Sequence, residues 1–238
     1  MEAKPVVATL LECVPFHVDV QQLYRRLRIV EGTDDAKDVE SLVQQAEALA
    51  KPKAYYRPAY VEERDDESVV IDGVRFTSRV LRVNLEAAHR VFPYVATCGV
   101  ELEKWSLQLD DLLHRYWASI INEMAMRAAF QALETHIVEV YQLGKAARMN
   151  PGSLADWPIS QQKPLFDLLG DVTQMTGVSL TESYLMLPIK SVSGLWFPTE
   201  TSFESCQLCP REGCPGRRAA FDAALLANRY SPAAGERP

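Results

Sequence analysis

One stretch, from Asp110 to Leu143, limits what this chain can fold into more than any other. Leu113, Trp117, Ile120 and Met124 recur three or four residues apart, and Phe130, Leu133, Ile137 and Val140 continue the series. The spacing predicts one continuous helix, ended at Gly144 and about 50 Å long at 1.5 Å per residue. Such a rod is as long as a small domain is wide, so it has to be the spine of the fold. Charged residues interrupt it throughout, and no apolar run in the chain approaches the ~20 residues a membrane-spanning helix needs.

The remaining elements are short and of both kinds. Residues 6 to 11 and 54 to 61 read as strands. Val69 to Phe76 reads as a hairpin around Asp72-Gly73, a pair that supplies the positive φ angles of a tight turn. Val20 to Ile29 reads as a short helix, and Asp34-Asp35 starts a longer one that Lys51-Pro52 ends. Ser78 is placed to cap a helix reaching about Val91, followed by a strand from Tyr94 to Thr97 that ends in Cys98-Gly99. Lys145 to Pro158 has the composition of a loop. Ser160 is positioned to cap a helix, Val178 to Phe197 reads as two or three short strands, and Pro215 to Asn228 as a last helix before a frayed tail. Strands and helices without regular βαβ spacing predict an α+β fold, with a twisted, mostly antiparallel sheet packed against long helices. The divisions that suggest themselves are an N-terminal portion 1–98, a portion 99–204 and a cysteine-containing segment with a helix at 205–238, joined in one compact unit.

Charge narrows the function. The 238 residues carry 25 Lys and Arg against 32 Asp and Glu, a net charge of −7. That balance excludes a nucleic-acid-binding domain, which needs a basic face for phosphates. The N-terminus lacks the pattern of a secretory leader, so a cytoplasmic location is expected. Five cysteines in a reducing compartment are not a disulfide framework.

Three of them instead form a C-x2-C-x4-C group, Cys206, Cys209 and Cys214. Two thiolates two residues apart can ligate one metal from a single turn, and the third follows a loop that Gly213 lets bend. Four ligands are the usual requirement. Cys98, at a predicted strand end, is the first choice for the fourth, and Cys13 the second. An iron–sulfur cluster, of the 4Fe-4S type, is the leading expectation, with structural zinc as the alternative and three free thiols as the plainest reading. No nucleotide-binding, P-loop or hydrolase motif is present, so no residue is assigned a catalytic role. Two further features are weaker by pattern alone: the loop Arg148-Met-Asn-Pro-Gly152-Ser153, and a polar stripe of Glu123, Arg127 and Glu134 on the long helix.

A resemblance sharpens these features. Arg148-x-x-Pro-Gly152, followed by Gly177-Val-x-Leu-Thr181-Glu182-Ser183-x-x-Met186-x-Pro188-x-x-Ser191-Val192-Ser193-Gly194, resembles the activation domain of cobalamin-dependent methionine synthase over roughly residues 110 to 204. The chain looks like stand-alone relatives of that domain. The resemblance implies S-adenosylmethionine binding, with Arg148 and Gly152 at the methionine portion, Ser202 and Phe203 near an aromatic-containing contact, and Arg127 matching a helix arginine. It departs from the family pattern at Ser153, where the family has Tyr, and at Phe130 and Gln131, where an acidic residue is expected.

The resemblance further implies a corrinoid-binding protein or cobalamin-dependent methyltransferase as partner, cobalamin being supplied by that partner. The function expected is accessory: reductive reactivation of, or docking with, such a methyltransferase, with electrons passing through the cysteine-held cluster. Two other readings stay open. One is a non-redox module binding S-adenosylmethionine or a corrinoid and stapled by zinc. The other is a methyl-donor site without metal.

Overall fold

The computed structural model describes residues 8–12, 14–200 and 202–230. Cys13 and the tail beyond Tyr230 lie outside the described residues. Helix α1 (Val20–Leu27) starts where the Asp19 carboxylate accepts the Gln22 amide, and ends at Arg28, which turns left-handed with φ 58°. Helix α2 (Asp34–Leu49) is capped by Thr33, has two acidic residues in its first turn, and buries Ala36, Val39, Leu42, Val43 and Ala46. Each cap satisfies an amide that the helix leaves without an internal partner.

Among the described residues the strands are β1 (Thr9–Leu11), β2 (Lys53–Tyr56), β3 (Ala59–Arg64), β4 (Ser68–Ile71), β5 (Val74–Thr77), β6 (Arg90–Thr97), β7 (Ala146–Met149), β8 (Ser179–Leu180), β9 (Met186–Leu187) and β10 (Ser191–Pro198). Eight of them form one antiparallel sheet ordered β1-β2-β6-β3-β4-β5, with β10 pairing both β6 and β7. β8 and β9 form a separate two-stranded ladder. Strand β6 is the hub. Its first residues pair with β3, its last four with β2, and its other edge with β10. The sheet therefore draws strands from both sides of residue 98.

Side chains alternate across the pleat, and here both faces are covered. Val91 and Val95 of β6, Tyr55 of β2, and Leu195 and Phe197 of β10 enter one core, closed by α3 (Arg79–Asn84), α6 (Gln162–Leu169) and α7 (Val172–Thr176). Phe92, Tyr94, Ala96, Ala54, Tyr56 and Trp196 face the other way, onto Ala129, Leu133 and Ile137 of α5 (Leu112–Tyr141). A third cluster joins α1, α2, α4 (Val100–Gln108) and the first half of α5. The expected α+β fold, with a curled antiparallel sheet and one unusually long helix, is the fold observed. At 30 residues, α5 runs about 45 Å.

Several local expectations need correction. The buried face of α5 comprises Trp117, Ala118, Ile121, Asn122, Ala125, Ala129, Leu133 and Ile137, whereas Leu113 and Val140 are exposed. Alanines, which weigh little in a search for large apolar residues, let the helix approach its neighbours closely. Residues 54–61 are two strands, broken at Arg57-Pro58, because Pro58 has no amide to donate. The helix capped by Ser78 stops at Asn84, and β6 begins at Arg90. Helix α4 and strand β7 fall where no element was expected, and the amide of α6's first residue is not capped by Ser160. The segment 215–228 is not one helix: it is irregular up to Asp222, followed by a short turn, Ala223–Leu225, and a wider turn, Leu226–Tyr230. No helix among the described residues is long and apolar enough to cross a membrane.

Candidate functional site

The site grows from β7, an edge strand of the sheet. Arg148 lies opposite Trp196 of β10, so its side chain leaves the sheet on the α5 side. There its guanidinium meets two residues of α5: the Glu134 carboxylate, at 2.5 Å, and the ring of Phe130, whose centroid is 4.6 Å from Cζ. A guanidinium over an aromatic face keeps its edge free for a planar, two-point contact with a carboxylate. In this structure Glu134 makes a single such bond, from Arg148 Nη1 to its Oε1. Burial raises the Glu134 pKa above the ordinary glutamate value, outweighing the attraction of Arg148.

Directly after β7 the chain makes a compact turn. The Asn150 side-chain amide donates to the Tyr94 hydroxyl at 2.8 Å and to the Ser193 carbonyl at 2.7 Å. The Ser193 hydroxyl in turn bonds to the Gln162 side chain, which is itself buried. Burial pushes the Tyr94 phenol up to about 12, so it stays a neutral partner for Asn150. Gly152 has φ +83°, donates its amide to the Trp157 carbonyl at 2.7 Å, and lies where a Cβ would sit 3.0 Å from Ile159 Cδ1. Both the left-handed backbone and the lack of room require glycine there. Ser153 folds its hydroxyl back onto the Asn150 carbonyl at 2.6 Å.

The Thr181-to-Gly194 run supports this turn from below. The Ser191 hydroxyl bonds Thr97 and the Pro188 carbonyl, and Thr181 accepts the Leu185 amide. Gly194 gives the closest approach of all. A Cβ on it would lie 2.7 Å from Asn150 Nδ2, 2.9 Å from the Tyr94 hydroxyl and closer still to the Met149 carbonyl. Between this run and Pro151 a cleft of about 380 Å³ opens, bordered by exposed Leu185, Leu187, Ile189 and Ile159.

The other candidate residues are distributed as follows. Arg127 forms an i, i+4 ion pair with Glu123 at 2.8 Å, and Arg26 of α1 shares the same carboxylate at 3.1 Å. The polar stripe thus divides: Glu123 and Arg127 serve the α1 side, and Glu134 serves Arg148. Ser202 is exposed, while Phe203 is buried in the core on the far face of the sheet, 6.0 Å from the Tyr230 ring.

Cys98 is fully buried among the residues of α2, α4 and α5, its thiol donates to the Gly99 carbonyl, and burial pushes its pKa up to about 12. Cys209 packs against the opposite core. Among the described residues, no three or more His, Cys, Asp or Glu side chains gather in a way that could hold a metal ion. The cysteine segment is ordered instead by Arg217, which donates to the carbonyls of Cys206, Cys209, Arg211 and Ala219. Next to it, Arg218 pairs with Glu204 at 2.7 Å and its amide faces the Cys206 sulfur at 3.4 Å.

Four members of this arrangement went unassigned in the sequence: Tyr94, Asn150, Gln162 and the pairing of Glu134 with Arg148. Glu134 carried a signal, its place in the polar stripe. Tyr94 and Gln162 carried none, because nothing local shows that their polar atoms meet Asn150 and Ser193.

Residues 110–206 match the family model described as "Vitamin B12 dependent methionine synthase, activation domain". Among solved structures, the crystal structure of the MetH reactivation domain bound to AdoHcy is similar in fold. Its TM-score is 0.59 at 15% sequence identity, over 84% of this chain and 81% of that one. No curated protein sequence matches the chain.

Proposed function

We propose that this chain is a relative of the activation domain of vitamin B12-dependent methionine synthase, a reading supported by the match over residues 110–206 and by the similar fold, and that it acts in the reactivation of a corrinoid-dependent methyltransferase such as methionine synthase. It would dock with a cobalamin-binding partner and present S-adenosylmethionine, which supplies an activated methyl group. The observation that carries this reading is Arg148. Its guanidinium is stacked on Phe130, held at the sheet edge, and engaged by a carboxylate from the same chain. A ligand carboxylate would replace Glu134 there, and Glu134 would turn to the ammonium of the same amino-acid headgroup. Gly152, left-handed and packed against Ile159, fixes the turn that follows Arg148. The AdoHcy named with the similar fold is a close chemical analogue of this ligand.

The test is calorimetric titration of the full chain with S-adenosylmethionine. Saturable binding by the wild type, weakened at least tenfold in Arg148→Ala, is the expected result. No binding at millimolar ligand would refute the ligand assignment.

The proposed four-cysteine cluster fits the structure poorly, because Cys98 sits in a core of its own and Cys209 packs against a different one. No electron-transfer step is derived through it. To hold iron–sulfur or zinc, the three-cysteine segment of Cys206, Cys209 and Cys214 would have to draw its thiols together and recruit a fourth ligand from elsewhere. That Arg217 orders the loop through four carbonyls favours a second reading, a non-redox binding module in which the loop is a structural staple.

A further inference from the structure

A cavity of about 540 Å³ opens between the turn that follows Gly152 and the cysteine segment. It is within the ~300–1,000 Å³ range of small-molecule sites. Its walls are mainly apolar: Val80, Leu154, Ala155, Leu208, Pro210 and Leu226. The polar groups along it are nearly all committed. Ser153 turns its hydroxyl to the Asn150 carbonyl. Asp156 spends its carboxylate on the start of α3, accepting from the Ser78 hydroxyl and from the amides of Arg79, at 3.2 Å, and Val80, at 3.0 Å.

Besides the Cys209 thiol, Arg211 is the exception. It is exposed at the rim, and no hydrogen bond or ion pair among the described residues engages its guanidinium. Its backbone is nonetheless held in place, since Arg217 bonds the carbonyls of both Arg211 and Cys209. A cation with no carboxylate partner, on a backbone held at the mouth of an apolar cavity, complements a ligand with an apolar body and one acidic end. The guanidinium would hold the carboxylate by two hydrogen bonds, and the body would displace water from the apolar walls.

We infer that this cavity is a binding site for a medium-chain carboxylic acid, held by Arg211 at its head and by the Leu154–Leu208–Leu226 walls along its length. The inference does not depend on S-adenosylmethionine binding at Arg148, which uses other residues.

Calorimetric titration of the full chain with decanoate tests it. The expected result is one saturable site at submillimolar concentration. Arg211→Gln, an exposed change that leaves the core alone, weakens binding about tenfold. Ser153→Phe, which fills the cavity from the turn side, abolishes it. Decanol, with the same chain and no charge, binds about tenfold more weakly. The inference is overturned by absence of saturable binding at millimolar decanoate. It is equally overturned if Arg211→Gln binds as wild type does, or if decanol binds as tightly as decanoate. Should Ser153→Phe not fold, the Arg211→Gln and decanol comparisons decide the question alone.

Discussion

Replacing Gly194 with alanine tests the idea that the Ser-Val-Ser-Gly strand exists to seat the Asn150 turn. The added methyl would stand 2.7 Å from the Asn150 amide nitrogen and 2.9 Å from the Tyr94 hydroxyl, and closer to the Met149 carbonyl. None of these can yield easily. Met149 is backbone of β7, and Tyr94 is fully buried on the central strand. Overpacking of this kind costs about 1–3 kcal/mol. Moving Asn150 aside also breaks its bonds to Tyr94 and the Ser193 carbonyl, leaving buried partners unsatisfied at about 1–3 kcal/mol between them. The total is about 2–6 kcal/mol, a large part of the ~5–15 kcal/mol that holds a typical domain folded. Urea unfolding followed by tryptophan fluorescence measures it, with a midpoint lowered by ~1 M or more expected. Gly144→Ala is the control: it lies just past α5, nothing is within 4 Å of its added carbon, and about 0.5 kcal/mol or less is expected. A Gly194→Ala midpoint equal to that of Gly144→Ala would refute the packing argument and with it the structural role given to this motif.

Three further outcomes follow from single residues. Hydrogen bonds from the Ser68 hydroxyl, the amides of Glu67 and Ser68 and the Arg75 guanidinium bring Asp65 down to about 2 from its ordinary 3.8. The folded pKa is the lower one, so the native state binds fewer protons in that interval; the stabilisation is present above it and is lost as pH falls from about 4 to about 2. Asp65→Asn should therefore be less stable than wild type near neutrality and indistinguishable from it at the acid end, as read by urea midpoints across pH; a constant difference would contradict the linkage. Cys98 should resist iodoacetamide in the native protein while Cys206, Cys209 and Cys214 react, because burial holds its thiol protonated. Any iron or zinc found on the purified protein should survive Cys98→Ala and be lost in Cys206→Ser; loss on the Cys98 change in a folded protein would restore the four-cysteine arrangement.

Patterns that are local were legible without coordinates. The start of α2 at Asp34 and its apolar spacing, the Asp72-Gly73 hairpin and the length of α5 are all decided by residues within a few positions of one another. So was the i, i+4 pairing of Glu123 with Arg127. The motif from Arg148 to Gly194 was legible as a resemblance, though not the reason for its residues. Spacing did not reveal which face of α5 is buried. Large apolar side chains dominated that reading, while Ala118, Ala125 and Ala129 are among the fully buried residues.

By itself, the sequence determined the class of fold, its longest helix and the segment that resembles an activation domain. These rest on periodicity, capping and side-chain type, which act over a turn or two of chain. Tertiary structure alone decided that Glu134 occupies Arg148, and that Tyr94, Asn150, Ser193 and Gln162 form one buried polar network. It also separated Cys98 from Cys209, in different cores. Each of these depends on which strand lies beside which. Strand β6 pairs with β10 about a hundred residues later, and no local rule fixes that register; it is set by burying both faces of the sheet at once.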